Sequence, residues 1–282
     1  MQQQPNQARL LYEAGELGAA VEMLSRELRS SPTDQQRRAF LFELLCLSGE
    51  WARADKQLEV LGQQSAGAEL GVQVYRNCVK AELARRRLFS DGLPPYFLTE
   101  PPDYVDLYLD ALKSLREGDA TAARAALDNA EQQRPAAAGV LDERPFDDFR
   151  DYDDFLSPVL ELIVMDKYTW LPFEQITRLS IEPPKQLRDI VWANVNVQTR
   201  DSELRAFMPR LYVNSGAHSD DRVRLGRMTD WKELGDELYA GVGVRLFAVN
   251  GEEKSALEIR NVEFTRTSDG EEQTPQPLTN LS

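Results

Sequence analysis

The stretch AGELGAAVEMLSRELRSSP, residues 14–32, decides the first half of the chain, because its punctuation returns as SGEWARADKQLEVL (48–61) and as EGDATAARAALDNAEQQRP (117–135). Gly15 and Gly49 stand 34 positions apart, and in that frame Glu16 meets Glu50, Leu17 meets Trp51, Ala20 meets Ala54 and Leu24 meets Leu58. Gly118 follows Gly49 by 69, close to two further periods, with Asp119, Ala120, Ala123, Leu127 and Ala130 in the same slots. Each slot has a physical reason. Glycine enters the left-handed conformation that closes a helix without a Cβ penalty. The acid after it meets the positive end of the next helix. Alanines let helices approach, leucines plug the seam between units, and Pro32 and Pro135 stop the second helix.

A 34-residue helix-turn-helix period resembles the tetratricopeptide repeat. The match breaks in the middle. No glycine stands near Ala84, and GAELGVQVYRNCVKAELARRRLF (67–89) reads as one long helix. SDGLPPYFLTEPP (90–102), with four prolines, then reads as an extended loop. The expectation is a helical-repeat domain over 1–137 with an irregular centre. Stacked helix pairs curve, and curved surfaces of this kind take extended peptides or helices. The plainer alternative is that the repeats only scaffold the second half.

After PAAAG (135–139) the pattern changes. Ser157-Pro158 reads as a helix start, with Val159 to Val164 as an apolar helix. Strand character follows at 176–182, 189–198, 204–214, 222–228, 243–251 and 256–265, where apolar and polar residues alternate. Asn250-Gly251 marks a hairpin turn between the last two. The fold class expected is α+β: a tetratricopeptide-like helical domain, then a mostly antiparallel sheet or partly closed barrel with flanking helices over 138–266. A polar tail follows at 267–282 and reads as flexible.

Composition narrows the function. A net charge of −14 disfavours nucleic acid and anionic membrane surfaces as partners. No run approaches the roughly 18 apolar residues of a membrane span, and the N-terminus has no secretory pattern. Cys46 and Cys78 sit in apolar helical patterns and read as buried free thiols. Together these point to a soluble, cytoplasmic protein. No P-loop, GxGxxG or GxSxG is present. His218, the single histidine, lies in a loop without a positioned partner. Gly241-Val242-Gly243 reads as a strand start with a bulge. Arg222, Arg224, Arg227 and Lys232 read as a solvated strand face, or as partners of the acidic cluster. That cluster, PFDDFRDYDDF with Asp147, Asp148, Asp151, Asp153 and Asp154, lacks calcium-loop spacing and has no His or Cys beside it. Caps and ion pairs, with Arg150 among the candidates, are the favoured reading of these carboxylates. A partner-facing acidic edge, and an enzyme or metal-binding protein built on Asp147–Asp154, are the alternatives.

Ordered motifs then run through the second half. They are FDDFRDYDDF, Glu161, Tyr168-x-Trp170-x-Pro172-Phe173-Glu174, Pro183-Pro184, Leu187-Arg188-Asp189-x-x-Trp192, Pro209-x-x-Tyr212 and Leu225-Gly226-Arg227-x-Thr229-x-Trp231. This series resembles the ImpE/TagJ family of type VI secretion accessory proteins, which also carry a repeat-like helical region first. The resemblance implies a non-enzymatic cytoplasmic protein of Gram-negative bacteria, with no catalytic residues, cofactor or metal. It implies association with the contractile sheath through the N-terminal helix of the small subunit TssB, alongside sheath recycling by the ATPase ClpV. By helix phase, Arg9, Tyr12, Arg37 and Phe40 are then expected to face the repeat groove. Trp170, Pro172, Phe173, Trp192 and Trp231 read first as core and loop structure, and otherwise as anchors of a peptide site on the second domain.

Overall fold

Three glycines organise the helical half. In the computed structural model, which describes residues 7–64, 67 and 69–265, α1 (Gln7–Glu13) pairs with α2 (Leu17–Ser30) and α3 (Gln35–Leu47) with α4 (Trp51–Gln64). A single long helix α5 (Glu69–Asp91) follows, and then the pair α6 (Tyr104–Arg116) and α7 (Ala120–Gln133). Gly15, Gly49 and Gly118 have φ of +87°, +67° and +84°. The same two hydrogen bonds close each turn. Gly15 N–H donates to Tyr12 O and Glu16 N–H to Leu11 O; Gly49 to Cys46 and Glu50 to Leu45; Gly118 to Leu115 and Asp119 to Ser114. This pairing is the Schellman closure, which satisfies carbonyls that the helix end would leave orphaned. The repeat slots Ala20, Leu24, Ala54, Leu58, Ala123, Leu127 and Ala130 are all buried.

The proline-rich loop after α5 contributes β1 (Tyr96–Phe97). The second half then runs β2 (Gly139–Leu141), β3 (Arg144–Phe146), β4 (Phe149–Asp151), β5 (Val159–Val164), β6 (Lys167–Pro172), β7 (Ile176–Ile181), the short helix α8 (Arg188–Val191), β8 (Trp192–Thr199) and β9 (Glu203–Pro209). The short helix α9 (Asp221–Arg224), β10 (Thr229–Gly235), β11 (Leu238–Gly243), β12 (Leu246–Val249), β13 (Glu252–Ser255) and β14 (Asn261–Phe264) complete it. One sheet has nine strands in the order β1-β6-β5-β9-β8-β7-β14-β2-β3, with only β1–β6 parallel, and it stays open at β1 and β3. The order β13-β12-β4 forms a second sheet, and β10–β11 is a separate hairpin. The polar tail expected at 267–282 lies outside the described residues.

Several local expectations are corrected. Val159–Val164 is a strand, paired with β6 from Val159↔Pro172 to Val164↔Lys167. A six-residue apolar run buried on both faces carries no period that separates strand from helix, and Met165, at φ 56°, turns it into a hairpin. Residues 222–228 are not a strand. Asp220 accepts the Arg222 N–H at 2.8 Å and nucleates α9, which Gly226 ends at φ +65°. The 189–198 strand begins only at Trp192, after α8, and the 204–214 strand stops at Pro209. Asn250-Gly251 does turn a hairpin, but its second arm is β13 at 252–255 rather than 256–265. Gly241-Val242-Gly243 ends β11 rather than starting a strand.

The halves share one core. Trp192 on β8 lies 6.4 Å from Phe42 of α3, 5.9 Å from Trp51 of α4 and 6.1 Å from Tyr75 of α5, between ring centroids. Asp221 Oδ2 accepts the N–H of Leu17 at 2.8 Å, so a residue from the second half caps α2. A second core lies within the β half. There Phe149 meets Phe146, Phe173, Phe247 and Phe264 at 5.7, 5.1, 5.0 and 5.6 Å. Among the described residues no helix is long and apolar enough to cross a membrane.

Candidate partner groove and the charge cluster behind it

Glu161 is a charge in the middle of an apolar strand, VLELIV, and it is fully buried. Its carboxylate accepts Arg85 Nε at 2.8 Å, Arg85 Nη2 at 2.7 Å, the Tyr168 hydroxyl at 2.5 Å and Arg245 Nη2. Arg85 also donates to Glu82, whose other oxygen accepts Trp192 Nε1–H at 3.0 Å. Arg245 donates to Asp151 and to Pro209 O, and the Tyr212 hydroxyl donates to Asp151 at 2.9 Å. Trp170 Nε1–H donates to Tyr168. Thus Glu161, Tyr168, Trp170, Trp192 and Tyr212 of the sequence motifs belong to one network that ties α5 to the sheet. Buried ions are tolerable only when paired and hydrogen-bonded. Burial pushes the Glu161 pKa up, but Arg85 and Arg245 outweigh it and hold the group at about 2. Burial raises Asp151 despite Arg245. Burial, then the charge of Asp151, pushes Asp153 to about 8.

Four of the five carboxylates of the acidic cluster, Asp148, Asp151, Asp153 and Asp154, are spent on structure. Asp148 takes Arg134 through both oxygens at 2.9 Å and the Ala137 N–H at 3.0 Å. Asp153 accepts the N–H groups of Phe155 and Gly241, and Asp154 that of Tyr239. Asp147 uses its backbone N–H on Asn250. Arg150 pairs with Glu131 at 3.2 Å and Asp148 at 3.9 Å. A cavity of about 360 Å³ opens beside them toward α6 and α7, lined by Tyr108, Arg124, Glu131, Arg150, Tyr152 and Asp154 among others. Three arginines of the basic stretch pair away from these carboxylates, while its Trp231 packs on Tyr152 at 5.4 Å. Arg222 pairs with Asp220, Arg224 with Asp221, and Arg227 donates to the carbonyls of Tyr12 and Glu13. His218 Nε2 lies 3.3 Å from Asp230 while Nδ1 accepts the Asp220 N–H. Cys46 and Cys78 are buried free thiols.

A groove of about 520 Å³ lies where α1 and α3 meet residues 184–190. Arg9 and Tyr12 come from α1, Phe40 and Glu43 from α3, and Pro184, Lys185, Gln186, Leu187 and Ile190 from the segment around α8. Tyr12 and Phe40 meet edge to face at 6.1 Å. The walls are braced. The Arg227 guanidinium sits 5.3 Å above the Tyr12 ring. Arg188 donates to Tyr75 at 2.7 Å and to Glu43 at 3.1 Å. Burial raises the Glu43 pKa, with Arg188 opposing.

Of the residues singled out from the sequence, Arg9, Tyr12 and Phe40 are brought together in this groove. Arg37 is not; it is held by Glu27 at 2.9 Å and Asp34 at 2.8 Å. Trp170 and Phe173 lie inside the two cores at 0% and 2% exposure, where they pack. Sequence reasoning missed Leu187 and Ile190 as groove walls, and Arg85 and Arg245 as buried cations. Arg85 did carry a signal: it falls in phase with the buried α5 positions Cys78, Ala81, Glu82 and Leu88.

Comparison with known proteins bears on the family and the fold. The family described as ImpE protein matches residues 143–263. The type VI secretion system accessory component TagJ of Pseudomonas aeruginosa is 37% identical over 258 residues, covering 91% of this chain and 90% of that protein. A crystal structure of a Vibrio parahaemolyticus protein superposes with a TM-score of 0.86 at 26% identity, covering 93% of this chain and 98% of the other.

Proposed function

The chain belongs to the family of ImpE proteins and TagJ-type accessory components of type VI secretion, and on that premise we propose that it is a non-enzymatic cytoplasmic adaptor that receives the N-terminal helix of the sheath subunit TssB in the α1–α3 groove. The juxtaposition of Tyr12 and Phe40 with Pro184, Leu187 and Ile190 carries this reading. It is a half-buried apolar floor with Arg9 and Lys185 exposed beside it. An amphipathic helix docks on such a floor through anchors at i, i+3 or i+4, and i+7. An occupied TssB helix would in turn alter what the recycling ATPase ClpV can grip.

The test is titration of a TssB N-terminal peptide against the full chain and three variants. Because the two halves share a core, point variants are more informative than truncations. Phe40→Ala and Ile190→Asp are expected to weaken binding about tenfold or more, the scale of a truncated anchor. Arg37→Ala, outside the groove, is expected to leave it unchanged. No binding by the unmodified chain, or equal binding by all variants, would overturn the assignment.

A further inference from the structure

The turn at Gly49 closes over a cavity that the adaptor role does not use. It has room for about one water-sized atom, roughly 20 Å³, at the junction of the α3–α4 turn, α5 and residues 211–216. Two glycines make the junction possible. A Cβ on Gly216 would stand 2.5 Å from Gly49 N, and a Cβ on Gly49 would stand 2.6 Å from Arg86 Nη2. The missing side chains let the two halves meet and let the Arg86 guanidinium rise under the turn.

Two donors at this cavity lack acceptors. Trp51 is 7% exposed, and its Nε1–H is buried without a hydrogen-bond partner. Arg86 lies 5.7 Å from the Trp51 ring centre, and among the described residues no carboxylate is within ion-pair distance of it and no acceptor takes its N–H groups. Burial draws its pKa down, with Glu82 opposing and Arg85 adding to the fall. The other charges here are committed elsewhere. Arg85 is held by Glu161 and Glu82, and Glu82 by Arg85 and Trp192 Nε1–H. Of the charged residues lining the cavity, Arg86 is the one without an ion-pair partner among the described residues. A buried donor without an acceptor is destabilising, and this applies to the Trp51 Nε1–H, while the Arg86 guanidinium is half-buried. Water would accept from these donors; an anion would accept from both and also offset the Arg86 charge.

We propose that this cavity is an anion site, taking one halide ion or one oxygen of a carboxylate against Trp51 Nε1–H and the Arg86 guanidinium. Such a ligand binds the folded chain and stabilises it by mass action. The full-length protein is the material for two tests. Crystals soaked in sodium bromide are expected to give an anomalous peak beside Trp51 Nε1 and Arg86. Titration with sodium formate at constant ionic strength is expected to raise Tm saturably in the unmodified chain. That rise is expected to vanish in Trp51→Phe, which keeps an aromatic ring without the N–H, and in Arg86→Gln; general salt effects would be shared by all three. The peak alone assigns the halide, and the variant-sensitive Tm rise alone assigns the carboxylate. With no peak, and with equal Tm responses in all three proteins, the cavity is a water site and the proposal is overturned. The bromide test needs no variant, so misfolding of either one leaves it decisive.

Discussion

Replacing Glu161 with glutamine tests whether the buried network holds the two halves together. The side chain keeps its shape and loses its charge. Oε1 accepts Arg85 Nε and the Tyr168 hydroxyl, while Oε2 accepts Arg85 Nη2 and Arg245 Nη2. A glutamine offers one acceptor end only. Whichever end its NH₂ occupies, at least one guanidinium N–H of a fully buried arginine faces another donor. Removing one partner of a buried ion pair costs about 3–5 kcal/mol. At about 2–4 °C per kcal/mol for a chain of roughly this size, Tm should fall by roughly 6–20 °C. Glu263→Gln is the matched control. Its pair with Arg178 is 58% and 57% exposed, and such pairs contribute about 0–1 kcal/mol. Urea unfolding followed by tryptophan fluorescence reports directly, since Trp170 donates to Tyr168 and Trp192 to Glu82 within the network. If Glu161→Gln unfolds within about 1 kcal/mol of the unmodified chain, or no earlier than Glu263→Gln, the network is not a clamp and the reasoning fails.

Acid should expose the same network. Glu161, held at about 2 in the fold against an ordinary 4.5, contributes stability above about pH 4.5 that is lost as pH falls toward 2. Asp153 has the opposite sign: raised to about 8 from 3.8, it favours the fold at low pH, and that contribution is lost as pH rises through 8. Urea midpoints should therefore peak on the acid side and decline toward pH 8, and midpoints rising steadily from pH 5 to 8 would contradict this. At the repeat turns, Gly118→Ala should cost about 1–2 kcal/mol for its left-handed backbone, because nothing stands within 4 Å of the added Cβ. Gly49→Ala should cost more, because Arg86 must also move, and denaturant titrations giving the reverse order would count against that geometry. Burial pushes the Cys46 and Cys78 thiols up, so a disulfide reagent should label neither in the native chain and both in urea. Rapid native labelling of either thiol would show that its helix opens.

The repeated turn was legible in the sequence because its determinants are local. One residue at positive φ and two hydrogen bonds within six residues close a helix, and Gly15, Gly49 and Gly118 declare this without help from the rest of the chain. The long α5 was legible for the same reason: after Gly71 in its first turn, 72–91 contains neither Gly nor Pro. Strands with one polar face, such as β7 and β8, showed their alternation. The family likeness was legible too, through motifs spread along the second half. The strand Val159–Val164 was not, because burial on both faces erases the alternation. Nor were the network and the groove. Arg85 and Glu161 are 76 positions apart, and Arg188 and Glu43 are 145 apart. Burying an arginine is favourable only where a distant carboxylate meets it, so helix phase could point Arg85 inward but only the tertiary structure could show the partner that lets it, and Arg245, lie inside. Helix phase placed Tyr12 and Phe40 together, but the opposite wall, Leu187 and Ile190, comes from a segment whose motif gave no sign of facing α1 and α3. The sequence by itself determined where helices close and which family the chain resembles. Chain folding alone decided which charges are buried and which apolar residues form a groove, because both depend on partners remote in sequence.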